Sequence, residues 1–163
     1  YNRTLEQQVT QRTAALEQSQ AKLRDVYDEL RLREEELRVI MNALPVCITY
    51  VDADQRYRFA NRTYEEWFHR SRGEILGKHI CENLGEASYQ VVQPYINQAL
   101  AGQITTYEAE IPCVFGKKYI SNSLIPDFDS NGQVKGYYGL ITDISDRRRA
   151  EAASILEERN RMA

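Results

Sequence analysis

Residues 1–44 contain neither glycine nor proline, and one apolar column runs through them at a spacing of seven: Val9, Leu16, Leu23, Leu30, Leu37 and Leu44. A repeat of that period, sustained over that length, is the pattern of a helix that buries one stripe against another helix. The neighbouring column is patchier: Leu5, Val26 and Ile40 alternate with Arg12, Ser19 and Arg33. Polar residues on a seam weaken a coiled coil but help to fix its register. A lone helix of ~66 Å, at 1.5 Å per residue, would have nothing to pack on over most of its run. Burying a leucine is worth ~1.5–3 kcal/mol, so the stripe is expected to find a partner. The expectation is a parallel homodimer whose seam includes Val9, Leu16, Leu23, Leu30 and Leu37. Charges do not set the orientation, since a parallel pair brings Glu29 opposite Glu34 of the partner subunit.

Pro45 stops this helix, and the pattern changes at once. Val46–Val51 and Tyr57–Ala60 read as two strands around the turn residues 52–55. Residues 61–101 read as short helices punctuated by Gly73, Gly77 and Gly85, ending in a longer one over 87–100. Its apolar positions are Val91, Val92, Tyr95, Ile96, Ala99 and Leu100, Gly102 stops it, and Pro94 predicts a kink or a late start. Three strand patterns come next: Tyr107, Ala109, Ile111 and Cys113 alternating with acids, then Tyr119–Ile125, then Val134–Thr142 beyond the turn D-F-D-S-N-G. From Asp143 onward glycine and proline vanish again, and Ile155, Leu156 and Met162 mark a second amphipathic helix among charges. Both ends read as cut points of a longer chain.

Composition excludes several classes. The 163 residues carry a net charge of −3 with acids and bases interleaved, so nothing resembles a footprint for nucleic acid. No apolar run is long enough for direct membrane insertion, and a cytoplasmic location is expected. Cys47, Cys81 and Cys113 are far apart and odd in number, so they read as small buried hydrophobes in a reducing compartment. His69 and His79 have no clear partners, and no metal site is expected. There is no phosphate-binding loop and no nucleophile–base arrangement. The acid pairs Glu65–Glu66 and Glu157–Glu158 lie on solvated helical faces with nothing apolar around them, and are not expected to act as general acid–base pairs. The fragment is not expected to be an enzyme.

The order of two strands, small helices and three strands over 46–146 resembles a PAS domain. So do Asn61 in F-A-N-R-T-Y, G-E-I-L-G-K at 73–78, Pro126 at a strand end before the turn, Gly136 and Gly139 in the last strand, and D-I-S-D-R-R at 143–148. The last resembles the D-I-T motif that joins PAS domains to output helices. The tail L-E-E-R-N-R-M-A at 156–163 resembles the approach to the phospho-accepting helix of a histidine kinase family. The resemblance implies an α+β fold: a five-stranded antiparallel sheet with short helices on one face, between a long N-terminal coiled-coil helix and a C-terminal helix. The divisions are 1–44 signalling helix, 45–146 PAS-like sensor domain and 147–163 the start of an output helix. The implied function is a sensory input or signal-relay module of a cytosolic dimeric sensor histidine kinase, acting on kinase domains of the same chain. The alternative is a PAS-type dimerisation scaffold, or the regulatory domain of a different output protein.

Flavin-binding PAS domains place a reactive cysteine after a G-R-N pattern and amides on their strands. Here Cys81 comes one place late after G-K-H, and Ile111, Ile120 and Ile141 stand at the amide places. Haem sensors of this fold use a histidine on the long helix, and residues 86–101 contain none. No flavin or haem is expected. By the same alignment Thr49, Val51, Ile111, Cys113, Ile120, Asn122, Leu124, Tyr137 and Ile141 face the interior. Asn122 is the one amide among them; either a small, largely apolar ligand or a neighbour such as Tyr137 meets it, and a packed interior ranks first. At the junction of Asp143, Ile144 and Arg147, Asp143 is expected to pair with Arg147, four residues on. In the second helix the pairs Ile155/Met162 and Leu156/Ala163 offer two adjacent seams. Sedimentation equilibrium at micromolar concentration should return twice the chain mass; a monomer refutes the seam.

Overall fold

The computed structural model describes residues 2–113 and 116–163. The chain divides into two units, one reaching to Ile40 and one spanning Met41–Ala163. Helix α1, Asn2–Ala43, is continuous for 42 residues, with its last three in the second unit. Its last residue precedes Leu44, which Pro45 disfavours from helical backbone, so the helix stops one residue short of the expected boundary. Leu16, Leu23, Leu30 and Leu37 are all exposed on the single chain, Leu23 by 71%. The i,i+4 pair Arg33–Glu29, at 3.2 Å, is solvent-exposed and adds only ~0.3–0.5 kcal/mol.

The second unit is built on one antiparallel sheet of five strands: β1 Val46–Asp52, β2 Tyr57–Ala60, β3 Thr105–Cys113, β4 Gly116–Phe128 and β5 Val134–Asp143. Their order across the sheet is β2-β1-β5-β4-β3. Asp52 sets the first turn, its Oδ1 accepting from Asp54 N at 2.9 Å and Arg56 N at 3.0 Å. Asp129 does the same after β4, with Asn131 N and Gln133 N as donors. Pro126 does not end β4 as expected; it pairs with Tyr137 inside the strand. The β3 ladder ends at Thr105–Leu124, so beyond it β4 is an edge, where strands tolerate proline.

Between β2 and β3 lie α2 Arg62–Phe68, α3 Arg72–Ile75, α4 Ile80–Leu84 and α5 Glu86–Leu100. Helix α5 begins at Glu86, so Pro94 does not delay it. The carbonyl that Pro94 leaves without a donor belongs to exposed Gln90. Gly77, at φ +79°, supplies the left-handed turn between α3 and α4. Helix α6 runs Ser145–Met162 and buries no residue. Alternate residues of the strands point inward: Cys47, Thr49 and Val51 from β1, and Ile120, Asn122 and Leu124 from β4. Val92, Ile96 and Ala99 of α5 face them from the helical side. Of the three cysteines only Cys47 is fully buried; Cys81 and Cys113 are half-buried. Among the described residues no helix is long and apolar enough to cross a membrane.

The second unit is tied together at Asn61, 2% exposed, the N-cap of α2. Its Oδ1 accepts from Ile48 N at 3.0 Å and Tyr64 N at 3.3 Å, and its Nδ2 donates to Met41 O and Val46 O, both at 2.8 Å. Thr63 Oγ1 donates to Leu44 O at 2.8 Å beside it. One amide thus satisfies the end of α1, the start of β1 and the start of α2. Asn61→Ala strands several buried backbone groups and should cost about 2–4 kcal/mol. Urea denaturation monitored by the single Trp67 measures it; a loss within error of zero removes Asn61 from this role.

Candidate functional site

Two features of the second unit carry functional geometry: a cavity, partly open to solvent, and the junction between β5 and α6. The cavity has a volume of about 650 Å³ and lies between the sheet and helices α2, α4 and α5. That size lies within the range of small-molecule sites. The expectation of a packed interior is therefore corrected. Alternating small and apolar side chains on the strands face helices that close over them only in part. All nine residues expected inside line the cavity: Thr49, Val51, Ile111, Cys113, Ile120, Asn122, Leu124, Tyr137 and Ile141. The sequence reading missed the helical wall, chiefly Tyr64, Phe68 and Asn83, as well as Tyr57 and Tyr107 on the strands. Tyr107 was legible as an inward position of β3; the others depend on how short helices pack, which their sequences do not announce.

Asn122 Nδ2 donates to Tyr107 Oη at 2.9 Å, not to Tyr137, and its Oδ1 meets no partner. Tyr107 and Asn122 are register partners on adjacent strands, whereas the β5 partner of Asn122 is Ile141, with Tyr137 further along that strand opposite Pro126. A second polar line runs along the helical side. Arg70 Nη1 donates to Asn83 Oδ1 at 2.5 Å, Asn83 Nδ2 to Tyr64 Oη at 2.7 Å, and Tyr64 Oη to Tyr57 Oη at 3.1 Å. Burial pushes the phenols of Tyr57, Tyr64 and Tyr137 up, and that of Tyr107 to about 12 despite the hydrogen bond from Asn122. All four are neutral at physiological pH. Burial likewise pushes the Cys47 thiol up, so it stays protonated.

The remaining polar candidates have structural partners. His79 caps α4, its Nδ1 accepting from Cys81 N at 3.1 Å, and its ring meets Tyr89 edge-on at 5.6 Å. His69 closes α2 in the left-handed region at φ 49°. Cys81 Sγ donates to Glu86 Oε2 at 3.0 Å. Ile111, Ile120 and Ile141 present hydrocarbon to the cavity at the places where the flavin class carries amides. Among the described residues no three His, Cys, Asp or Glu side chains stand together to hold a metal ion.

At the junction Asp143 does not pair with Arg147. Its Oδ2 accepts from Lys118 Nζ at 2.9 Å, and its Oδ1 accepts from Ser145 N at 2.9 Å. Turning back to cap the helix start aims the carboxylate at β4 rather than along α6. Arg147 instead pairs with Glu108 of β3, and Arg148 Nη2 stands 3.8 Å from the same carboxylate. Ile144 is the single residue between β5 and α6, buried, with its N–H donating to Tyr119 O at 2.8 Å. Ser145 Oγ accepts from Tyr119 N, and the Arg148 guanidinium lies 4.9 Å over the Tyr119 ring. Lys118 Nζ lies 4.9 Å over Trp67 of α2, so the ion pair also touches the helical layer.

With this geometry the relationships to known proteins become specific. A family model described as PAS fold matches residues 41–149, and the chain belongs to that family. Similar solved structures include an RNA-binding light-oxygen-voltage receptor, with TM-score 0.62 and 22% identity over 82% of this chain and 40% of that one. The PAS domain of BvgS from Bordetella pertussis superposes with TM-score 0.59 at 23% identity, over 80% of this chain and 98% of that one. A PAS domain from Colwellia psychrerythraea gives 0.59 at 18% identity, over 72% and 98%. No curated protein sequence matches the chain.

Burial alone would raise the Asp143 pKa, but the hydrogen bonds from Ser145 and Lys118 outweigh it and hold it at about 2, below the ordinary 3.8. A depressed carboxylate contributes stability that is complete above its unfolded value and lost as pH falls through its folded value. The junction should therefore hold through pH 3.8 and open as pH falls toward 2. Carboxyl-carbon NMR should show the Asp143 midpoint near 2 in the intact chain and moved up toward 3.8 in Lys118→Ala. A midpoint unchanged by that substitution removes Lys118 as the partner.

Proposed function

We propose that this chain is the sensory input or signal-relay module of a dimeric sensor histidine kinase, acting in the cytoplasm on kinase domains of the same polypeptide through its flanking helices. The observation that carries the reading is the junction. Strand β5 passes into α6 through Ile144 alone, and the first turns of α6 are bonded to both β3 and β4. No loop stands between sheet and helix to absorb motion, so a change in the sheet is delivered to the start of α6. The exposed stripe of α1, seated on its copy in a parallel dimer, and the exposed Ile155 and Leu156 of α6 supply helices before and after the domain in sequence that a second subunit can pair with. Two adjacent seams on α6 let the helix pair settle in either of two registers.

A second reading, a PAS-type dimerisation scaffold or the regulatory domain of a different output, draws support from one similar structure being an RNA-binding receptor. Both readings use the same junction and differ in the kind of output domain that α6 would drive. Insertions between Arg149 and Ala152 of the full-length protein test the relay. Seven added residues restore the heptad phase and should largely preserve control of autophosphorylation, whereas one or two should lock it on or off. Equal behaviour of all insertions removes rotational register from the mechanism, and absence of autophosphorylation in the full-length protein removes the kinase.

A further inference from the structure

Helix α2 is held at its start by the end of one flanking helix and touches, further along, the residue that holds the start of the other. At its start Asn61 Nδ2 donates to Met41 O and Thr63 Oγ1 to Leu44 O, each at 2.8 Å, and Arg62 N donates to Asn42 Oδ1 at 3.1 Å. Met41 and Asn42 are in the last turn of α1. Further along α2, Trp67 packs half-buried against the core, and its ring lies 4.9 Å from Lys118 Nζ. Lys118 falls in step with Ile120, Asn122 and Leu124, the inward positions of β4, so its stem leaves the sheet on the side of the helices. Its ammonium has two neighbours there: the Trp67 face and Asp143 Oδ2, at 2.9 Å. The bond to Asp143 holds the Lys118 pKa up, so the ammonium stays charged. Asp143 in turn caps α6 by accepting from Ser145 N.

An ammonium on a four-carbon stem turns easily into water, and an exposed ion pair is weak for that reason. An aromatic face behind the ammonium attracts the charge and restricts that freedom. We propose that α2 is a strut between the two flanking helices: it carries a displacement of the last turn of α1 to the first turn of α6, and delivers it where Trp67 meets Lys118. The strut runs beside the sheet and works whether the cavity is filled or empty. The inference rests on α6 being the output helix and adds where a signal arriving along α1 enters the domain.

Amide hydrogen exchange of Ser145, followed by NMR, reads the opening of the α6 cap, and that of Thr49, in the buried middle of β1, reads the stability of the whole unit. In the 163-residue chain Trp67→Leu should speed Ser145 about two- to fivefold, the worth of one exposed contact between a cation and an aromatic face. Lys118→Met should speed it at least as much, and Trp67→Leu added to Lys118→Met should change nothing further. Thr63→Val, at the other end of the strut, should speed Ser145 in the parent chain and not in Lys118→Met. Should Trp67→Leu fail to fold, Trp67→Phe keeps a ring with a weaker face and should give a smaller rise of the same sign. Ser145 exchange unmoved by the Trp67 variant or by Thr63→Val overturns the proposal. So does an effect of either that persists at full size in Lys118→Met, or one that only follows an equal change at Thr49. These measurements need no output domain, so failure here leaves the relay from β5 into α6 standing, and a failed insertion test leaves the strut standing.

Discussion

The amide of Asn61 is the interaction on which the second unit hangs. Four backbone groups from three segments converge on one side chain: Met41 O at the end of α1, Val46 O and Ile48 N at the start of β1, and Tyr64 N in the first turn of α2. An amide offers two donors and an acceptor with two lone pairs, and here all of that capacity is used. No other short side chain can replace it. Aspartate keeps the acceptor and loses both donors; serine reaches too few groups. Because the bonds are buried, each is backed by the cost of leaving its partner bare. The entry of the incoming chain, the first strand and the helical layer therefore move as one piece.

The same sheet then makes two different things from one alternation of side chains. On its inner face the small and apolar residues of β1, β4 and β5 meet helices that close only partly, leaving the cavity. Its buried tyrosines line that space with hydroxyls held neutral by burial. At one end of the sheet Lys118, Tyr119, Asp143 and Ser145 tie the start of α6 to β4 and β5. Ile120 and Asn122 of the cavity wall lie on the same strand as Lys118, a short way along it. Trp67 against Lys118 joins the helical layer to the same point.

Much of this was legible in the chain itself. The glycine- and proline-free heptads of residues 1–44 dictate one long helix, because no other backbone form repeats at that period. The strands announced themselves by β-prone runs, by period-two alternation in β3 and by Asp-rich turns, and alignment to the family's strand motifs sorted Thr49, Val51, Ile120, Asn122 and Leu124 to the inner face. Side-chain direction in a strand is a local property, so inward positions can be read without knowing what they face. Tertiary structure decided what local chemistry leaves open. Whether the inward faces meet or stand apart depends on where four short helices come to rest, so the cavity and its helical wall were not in the pattern. The partner of Asp143 was decided in the same way. Spacing of four favoured Arg147, but the carboxylate turns back to cap α6 and finds Lys118, 25 residues earlier in sequence, on the adjacent strand. Sequence determines periodicity and facing, because these depend on a residue and its near neighbours. Only packing decides distance between elements, because it is settled by the fit of surfaces far apart in the chain.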